Sequence, residues 1–299
     1  MTPQPFVLVG IGEILWDMLP GGRQLGGAPA NFAYHAHALG ARGIPVSRVG
    51  PDAAGRDLLS RLEAIGLPAG GVETDGRWPT GTVDVQLDRT GKPRYVIHRR
   101  VAWDHLRISP PLRRLARSAD AICYGTLGQR SRDSLAAISA FILSSRAECL
   151  RILDINLRQA FYSAGLIRRL LRESNVVKLN EDELPAVARV LTLRGSRAAI
   201  LRRLAARYTL RLVAFTRGAD GSILVAGDEV SQHPGCRTRI ADTVGAGDAF
   251  TAAMTIAFLR GKPLDQVNDY ANRVASYVCS QRGATPPMPE RLTARRYFG

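Results

Sequence analysis

Lysine is nearly missing from this 299-residue chain. It occurs three times, as Lys92, Lys178 and Lys262, so 38 of the 41 basic side chains are arginine. The formal net charge is +15. A nucleic-acid surface would gather such charge on one element and interleave it with aromatics for stacking. Here the arginines are scattered in pairs such as Arg113-Arg114 and Arg202-Arg203, and aromatics make up only 6% of the chain. An RNA- or DNA-associated basic protein is therefore the disfavoured reading. Cysteine is also sparse. Cys123, Cys149, Cys236 and Cys279 lie far apart with no Cys-x-x-Cys pair, which argues against a disulfide scaffold or structural zinc and suits a reduced, cytoplasmic chain. No apolar run approaches the roughly 20 residues needed to span a bilayer. Met1 to Pro5 lacks the basic-then-apolar pattern of a secretion signal. The expected partners thus include neither nucleic acid nor membrane, and the expected location is the cytoplasm. Two nucleotide motifs are missing as well: there is no Gly-x-x-x-x-Gly-Lys-Ser/Thr loop, and GIGEIL (Gly10 to Leu15) lacks the third glycine of a dinucleotide fingerprint. The five histidines show no metal-ligand spacing.

What is present is ample for a core, with 45% hydrophobic residues. Phe6 to Ile14 reads as a buried strand. A glycine-proline loop follows at Gly26 to Ala30, then a helix from Asn31 to Leu39, a strand from Pro45 to Val49, an acidic turn from Asp52 to Gly55, and a helix from there to about Ile65. AICYGT, RILDIN, VVKLN and RLVAFT are short apolar strands separated by helical stretches such as Ser131 to Ser144 and Ser196 to Tyr208. Strand-helix alternation of this kind predicts an α/β fold, a mainly parallel sheet with helices on both faces. Between Gly81 and Ile97 apolar and polar residues alternate around Thr90-Gly91, as in a half-exposed antiparallel hairpin.

The most informative segment is DTVGAGDAFTAAM, Asp242 to Met254. Gly245-Ala246-Gly247 forms a turn of small residues before an apolar helix that starts near Asp248. Such a turn offers unpaired backbone N–H groups and the positive end of a helix dipole to an anion. Taken alone, Asp248 could equally be a helix cap. LGGAPANFAYHAHALGA (Leu25 to Ala41), LNEDEL with Asn180 and Glu183, TRGADG (Thr216 to Gly221) and SQRGATP (Ser280 to Pro286) are further punctuated segments along the chain.

Together these segments resemble, in order and over Gly10 to Pro286, the ribokinase-like (phosphofructokinase B) carbohydrate kinases. The resemblance implies one three-layer α/β kinase domain over residues 1–299, with a small β-sheet lid built from about 12–25 and 81–105. It implies Asp248 as catalytic base and Gly245, Ala246 and Gly247 as the anion hole. Asp17, Gly27 and Asn31 would hydrogen-bond the sugar. Asn180 and Glu183 would orient phosphate and Mg²⁺, Glu183 through water. Thr216, Gly218 and Gly221 would receive the ATP phosphates, and Asn272 and Gly283 would lie on the adenine side. Asp242, with backbone groups of the Gly283 loop, would mark a monovalent-cation site for K⁺. Arg158, in DINLR (Asp154 to Arg158), would lie between sugar and phosphates. Tyr95, His98 and Trp103 are candidates to touch the sugar from the lid, with ordinary sheet packing as the alternative. GEILWDMLPGG, GGAPANFAYH and YGTLGQRS look most like bacterial fructokinases, so the expected reaction is ATP-dependent phosphorylation of D-fructose. Kinases of ribose, 2-keto-3-deoxygluconate or a nucleoside share the scaffold, as would a non-catalytic sugar or nucleotide sensor. A homodimer formed through the lid is also expected.

Overall fold

Strands covered by helices on both faces need apolar side chains on both faces, and the chain supplies them. In the computed structural model, which describes residues 4–19, 21–87 and 93–299, the first third contains β1 (Val7–Ile11), β2 (Leu15–Leu19), β3 (Gly22–Gly26), α1 (Ala28–Ala38), β4 (Arg42–Val49), α2 (Ala53–Ala64), β5 (Val72–Thr74), β6 (Gly81–Leu87) and β7 (Pro93–Ile97). The middle contains α3 (Pro110–Ser118), β8 (Ala121–Tyr124), α4 (Arg132–Leu143), β9 (Leu150–Asp154), α5 (Ala164–Glu173), β10 (Val176–Asn180), α6 (Glu183–Leu191) and α7 (Arg197–Tyr208). The last part contains β11 (Leu212–Thr216), β12 (Ser222–Ala226), β13 (Glu229–His233), α8 (Ala246–Leu259), α9 (Leu264–Cys279) and α10 (Ala294–Phe298). The expected turn at Thr90-Gly91 lies outside the described residues.

Nine strands form one sheet in the order β13-β12-β11-β10-β9-β8-β1-β4-β5. From β11 to β5 all neighbours run parallel; β12 and β13 close one edge antiparallel. Val9, Ile11, Leu153, Val177 and Val213 face a core built with α3 to α7. Leu8, Ile152, Val176 and Leu212 point the other way, into a core shared with α1, α8 and α9. This is the expected three-layer α/β sandwich.

Four strands form a second, smaller sheet in the order β3-β2-β6-β7, with β2 and β6 parallel and both outer pairs antiparallel. The sequence reading of one strand over Phe6 to Ile14 is therefore corrected: Gly12 and Glu13 leave the large sheet, and Leu15 begins a strand of the small one. The first helix also begins earlier than expected. Pro29 occupies its first turn, where a missing N–H costs nothing, and the N-cap is Gly27, so Asn31 lies inside α1 rather than capping it. Asp52 joins the two sheets. Its carboxylate accepts from Gly55 N at the start of α2 and from Thr80 N and Oγ1, the residue before β6. Trp16 Nε1 donates to Ala54 O beside it.

Candidate active site

The parallel strands end together, at the edge of the sheet where α/β folds bind ligands. There β9, β10 and β11 place Lys178 beside Asp154 and Asn180 beside Thr216. Over these ends opens a cavity of about 680 Å³, roofed by Leu15, Asp17, Val83, Tyr95 and Ile97 of the small sheet. Its remaining lining includes Glu13, Gly27, Asn31, Asp154, Arg158, Lys178, Asn180, Gly245, Gly247 and Asp248. Residues separated by more than 200 positions thus meet at one site.

Gly245 precedes α8 with φ of 80°, and a Cβ there would lie 2.4 Å from Ala284 O. Both facts require glycine. Asp248 stands in the first turn of α8 and keeps part of its surface open to the cavity. Burial and the nearby Asp154 push its carboxyl up to about 7, while the Asn31 hydrogen bond, Lys178 and Arg158 pull the other way. Asn31 Nδ2 donates to Asp248 Oδ2 at 2.8 Å, and Asn31 Oδ1 is buried without a partner among the described residues. Gly27 brings backbone close to backbone: a Cβ there would sit 2.4 Å from Glu13 O. Desolvation likewise raises Asp17 to about 6, opposed by Arg158. Arg158 itself is exposed, and Nη1 donates to Leu157 O.

Other expected residues fall elsewhere. Glu183 is buried behind the cavity, where its two oxygens accept from Leu157 N and Asn180 N while Asn180 Oδ1 accepts from Glu183 N. This is a reciprocal cap on α6, and Glu183 touches the cavity lining through Asn180 and Leu157. No group of three His, Cys, Asp or Glu side chains able to hold a metal occurs among the described residues. Mg²⁺ prefers phosphate and water to all-protein cages, so Asn180 facing the cavity with Glu183 behind it suits an ion held mainly by a nucleotide. Thr216, Gly218 and Gly221 lie at the end of β11, outside the cavity lining. Asn272 lies outside the cavity lining. It is buried on α9, and its amide nitrogen donates to Ser222 Oγ, Asn268 O and Asn268 Oδ1. Asp242 accepts from Val244 N and Gly283 N, tying the Gly283 loop to the turn before α8. Tyr95 lines the cavity, but His98 pairs with Asp84 outside it, and Trp103 is buried against the Arg130 guanidinium, so neither reaches the sugar side.

Two lining residues escaped the sequence reading as site candidates. Glu13 is buried, its Oε2 has no partner among the described residues, and desolvation raises its carboxyl to about 7. Lys178 is buried and paired with Asp154 at 3.1 Å. Its signal was available: a chain that prefers arginine so strongly spends one of three lysines inside an apolar strand.

Residues 21–291 match the family model described as pfkB family carbohydrate kinase. The chain belongs to the pfkB family of carbohydrate kinases. Among its family relatives, a sugar kinase of Pyrococcus horikoshii is 26% identical, covering 96% of this chain and 94% of its own. Fructokinase-1 of Oryza sativa subsp. japonica is 27% identical over 97% and 96%, and the fructokinase of Salmonella typhimurium is 27% identical over 96% and 98%. The crystal structure of the P. horikoshii sugar kinase superposes with a TM-score of 0.83 over 98% of this chain and 100% of that one. The Xylella fastidiosa fructokinase, 22% identical and covering 95% of each chain, shares the fold at a TM-score of 0.82.

Proposed function

We propose that this pfkB-family kinase transfers the γ-phosphoryl group of ATP to the 6-hydroxyl of D-fructose, with Asp248 as general base. The observation that carries the reading is Asp248 itself, a carboxylate at the first turn of a helix, directly after a glycine turn, facing a cavity roofed by a separate sheet. Fructokinases among the relatives support the sugar, and the P. horikoshii relative has been crystallised with ATP.

Asp17, Gly27 and the small-sheet side chains would hold the sugar, with its 6-hydroxyl against Asp248. The hydroxyl oxygen bonds to the γ-phosphorus, its proton passes to the Asp248 carboxylate, and the breaking phosphorus–oxygen bond leaves its electron pair on ADP. Backbone N–H groups of the Gly245–Gly247 turn would take up charge on the transferred group. Asn31, by donating to Asp248 Oδ2, fixes the carboxylate so that the other oxygen receives the proton. Mg²⁺ carried with the nucleotide would neutralise phosphate charge, and Asn180, with Glu183 behind it, would order its water shell. Asp242, already joined to the Gly283 loop, is where K⁺ would be held.

A sugar acid such as 2-keto-3-deoxygluconate is the second reading, favoured by the exposed Arg158 guanidinium in the cavity lining, which could pair a carboxylate. A coupled assay with ATP and Mg²⁺ over fructose, ribose, 2-keto-3-deoxygluconate and adenosine tests both. Fructose should give the highest kcat/KM. A higher value for the acid replaces the first reading with the second, and ATP turnover unaffected by every acceptor defeats both, as a sensor would.

A further inference from the structure

Beneath the glycine turn lies a charge that nothing in the phosphoryl-transfer scheme above employs. Lys178 lines the cavity floor from the middle of β10. Its Nζ donates to Asp154 Oδ1 at 3.1 Å, and it stands 3.2 Å from where a Cβ on Gly247 would project, so it lies directly against the anion-hole turn. Thr251 Oγ1 lies 3.1 Å from Asp154 Oδ2 and 2.9 Å from Gly247 O, so its single hydroxyl proton is shared between the two acceptors. Lys178, Asp154 and Thr251 therefore form a continuous buried link from the sheet to the helix turn that carries Asp248.

We propose that Lys178 is a positioning residue for the transfer reaction, a fixed ammonium clamped by Asp154 directly under the Gly245–Gly247 turn, whose charge offsets the repulsion that Asp154 exerts on the Asp248 carboxylate. The inference rests on the reading of Asp248 as the base. Charge accounting shows why such a group is needed. Asp248 is faced by Glu13 beyond β1, by Asp154 on β9 and by the Cys123 thiol on β8; Glu183 adds a further acid around Lys178. Against these acids stand Arg158, which is exposed, and Lys178, which is buried. Although burial works against its charge, Asp154, Glu183 and Asp248 hold the lysine above the ordinary lysine range. A point charge on a thin stem fits under a backbone turn where a planar guanidinium would not.

The two members of the pair should act on Asp248 in opposite directions, because one attracts and the other repels negative charge. A purely structural pair would make both variants behave alike. ¹³C-carboxyl aspartate NMR titration of the whole protein, with Asp248→Asn to assign the signal, reads this without any need for turnover. Lys178→Met should raise the Asp248 midpoint by about one pH unit, as loss of a close opposite charge does. Asp154→Asn, which keeps its shape and the bond from Thr251, should lower it. In kinetics, Lys178→Met should lose kcat at acidic and neutral pH and recover it as pH rises, with KM for the sugar little changed. Should Lys178→Met not fold, Lys178→Gln and Asp154→Asn carry the comparison. Unchanged midpoints, or shifts of the same sign in both variants, overturn the inference. Opposite shifts in a protein that phosphorylates no acceptor would uphold the charge link between Lys178, Asp154 and Asp248 but sink the kinase reading, and with it the positioning role.

Discussion

Asp248 is a carboxyl held where water is scarce and other acids are near, and its elevated midpoint has two consequences of opposite value. For catalysis, a base titrating at about 7 is half-available at neutral pH. The expected kcat profile falls on the acid side of that midpoint and is flat above it, which a pH series under saturating substrates reads. Asp248→Asn keeps size and helix position but removes the proton acceptor, so kcat should drop by about 10²–10⁴ with far smaller changes in substrate affinity. For stability, the sign reverses. The native carboxyl binds its proton more tightly than the unfolded one, whose ordinary value is 3.8. The native state therefore loses stability as pH rises from about 4 to about 7. Asp248→Asn should then melt higher than the parent at pH 8 and alike at pH 4, by roughly 2–4 °C for each kcal/mol recovered. Equal melting shifts at both pH values would contradict the burial argument. Glu183 presents a different choice. Its oxygens are shared between two backbone N–H groups, and Glu183→Gln turns an amide donor against one of them, a cost of about 1–3 kcal/mol. If the residue also orders the nucleotide's ion, the variant needs more Mg²⁺ and turns over more slowly. A lowered melting point with unchanged Mg²⁺ dependence would reduce it to a cap.

At the level of elements, the helices and parallel strands were readable because their residues are local and periodic. The sequence placed α4 and α7 within a residue of their observed ends, through serine N-caps at Ser131 and Ser196. It could not divide β1 from β2, since the apolar run continues across Gly12 and only tertiary pairing says that Leu15 belongs opposite Gly81. It also passed over β12, although SILVA is apolar, and it missed β13 for the converse reason: EVSQH is too polar to announce a strand and forms one because β12 offers it an edge. The site divides similarly. Asp248, Asn31 and Gly245 lay in recognisable strings, whereas Glu13 and Lys178 gain meaning only from what the fold sets beside them. Asp52 shows how an element boundary reaches the cavity, since it caps α2 and anchors the root of β6. Its pKa lies below the ordinary value because the bonds from Thr80 and Gly55 outweigh burial, so its stabilisation is full above that value and fades as pH falls through the depressed one. Asp52→Ala should cost about 1–2 kcal/mol. Because it loosens the roof rather than the floor, it should raise KM for the sugar more than it lowers kcat.

For the whole molecule, the small sheet is the unfinished part. Met18 is 41% and Tyr95 50% exposed, and β3 and β7 each have one edge without a strand partner among the described residues. Four strands with such edges invite another chain. A homodimer joined through these sheets is expected at micromolar concentration, and light scattering that gives the mass of one chain would refute it. The parallel α/β body needs no partner, because both of its faces are already covered by helices.

The hydrogen bond between Asn31 and Asp248 spans 217 positions. A ribosome that has released α1 must add nearly the whole remaining protein before the carboxylate that α1 orients exists. The Gly245 turn in turn leans on Ala284, later still. Nascent chains and fragments that stop before α8 therefore carry the small-sheet end of the cleft without the carboxylate proposed as its base. On the proposed reading, phosphoryl transfer waits until α8 and the Gly283 loop have left the ribosome.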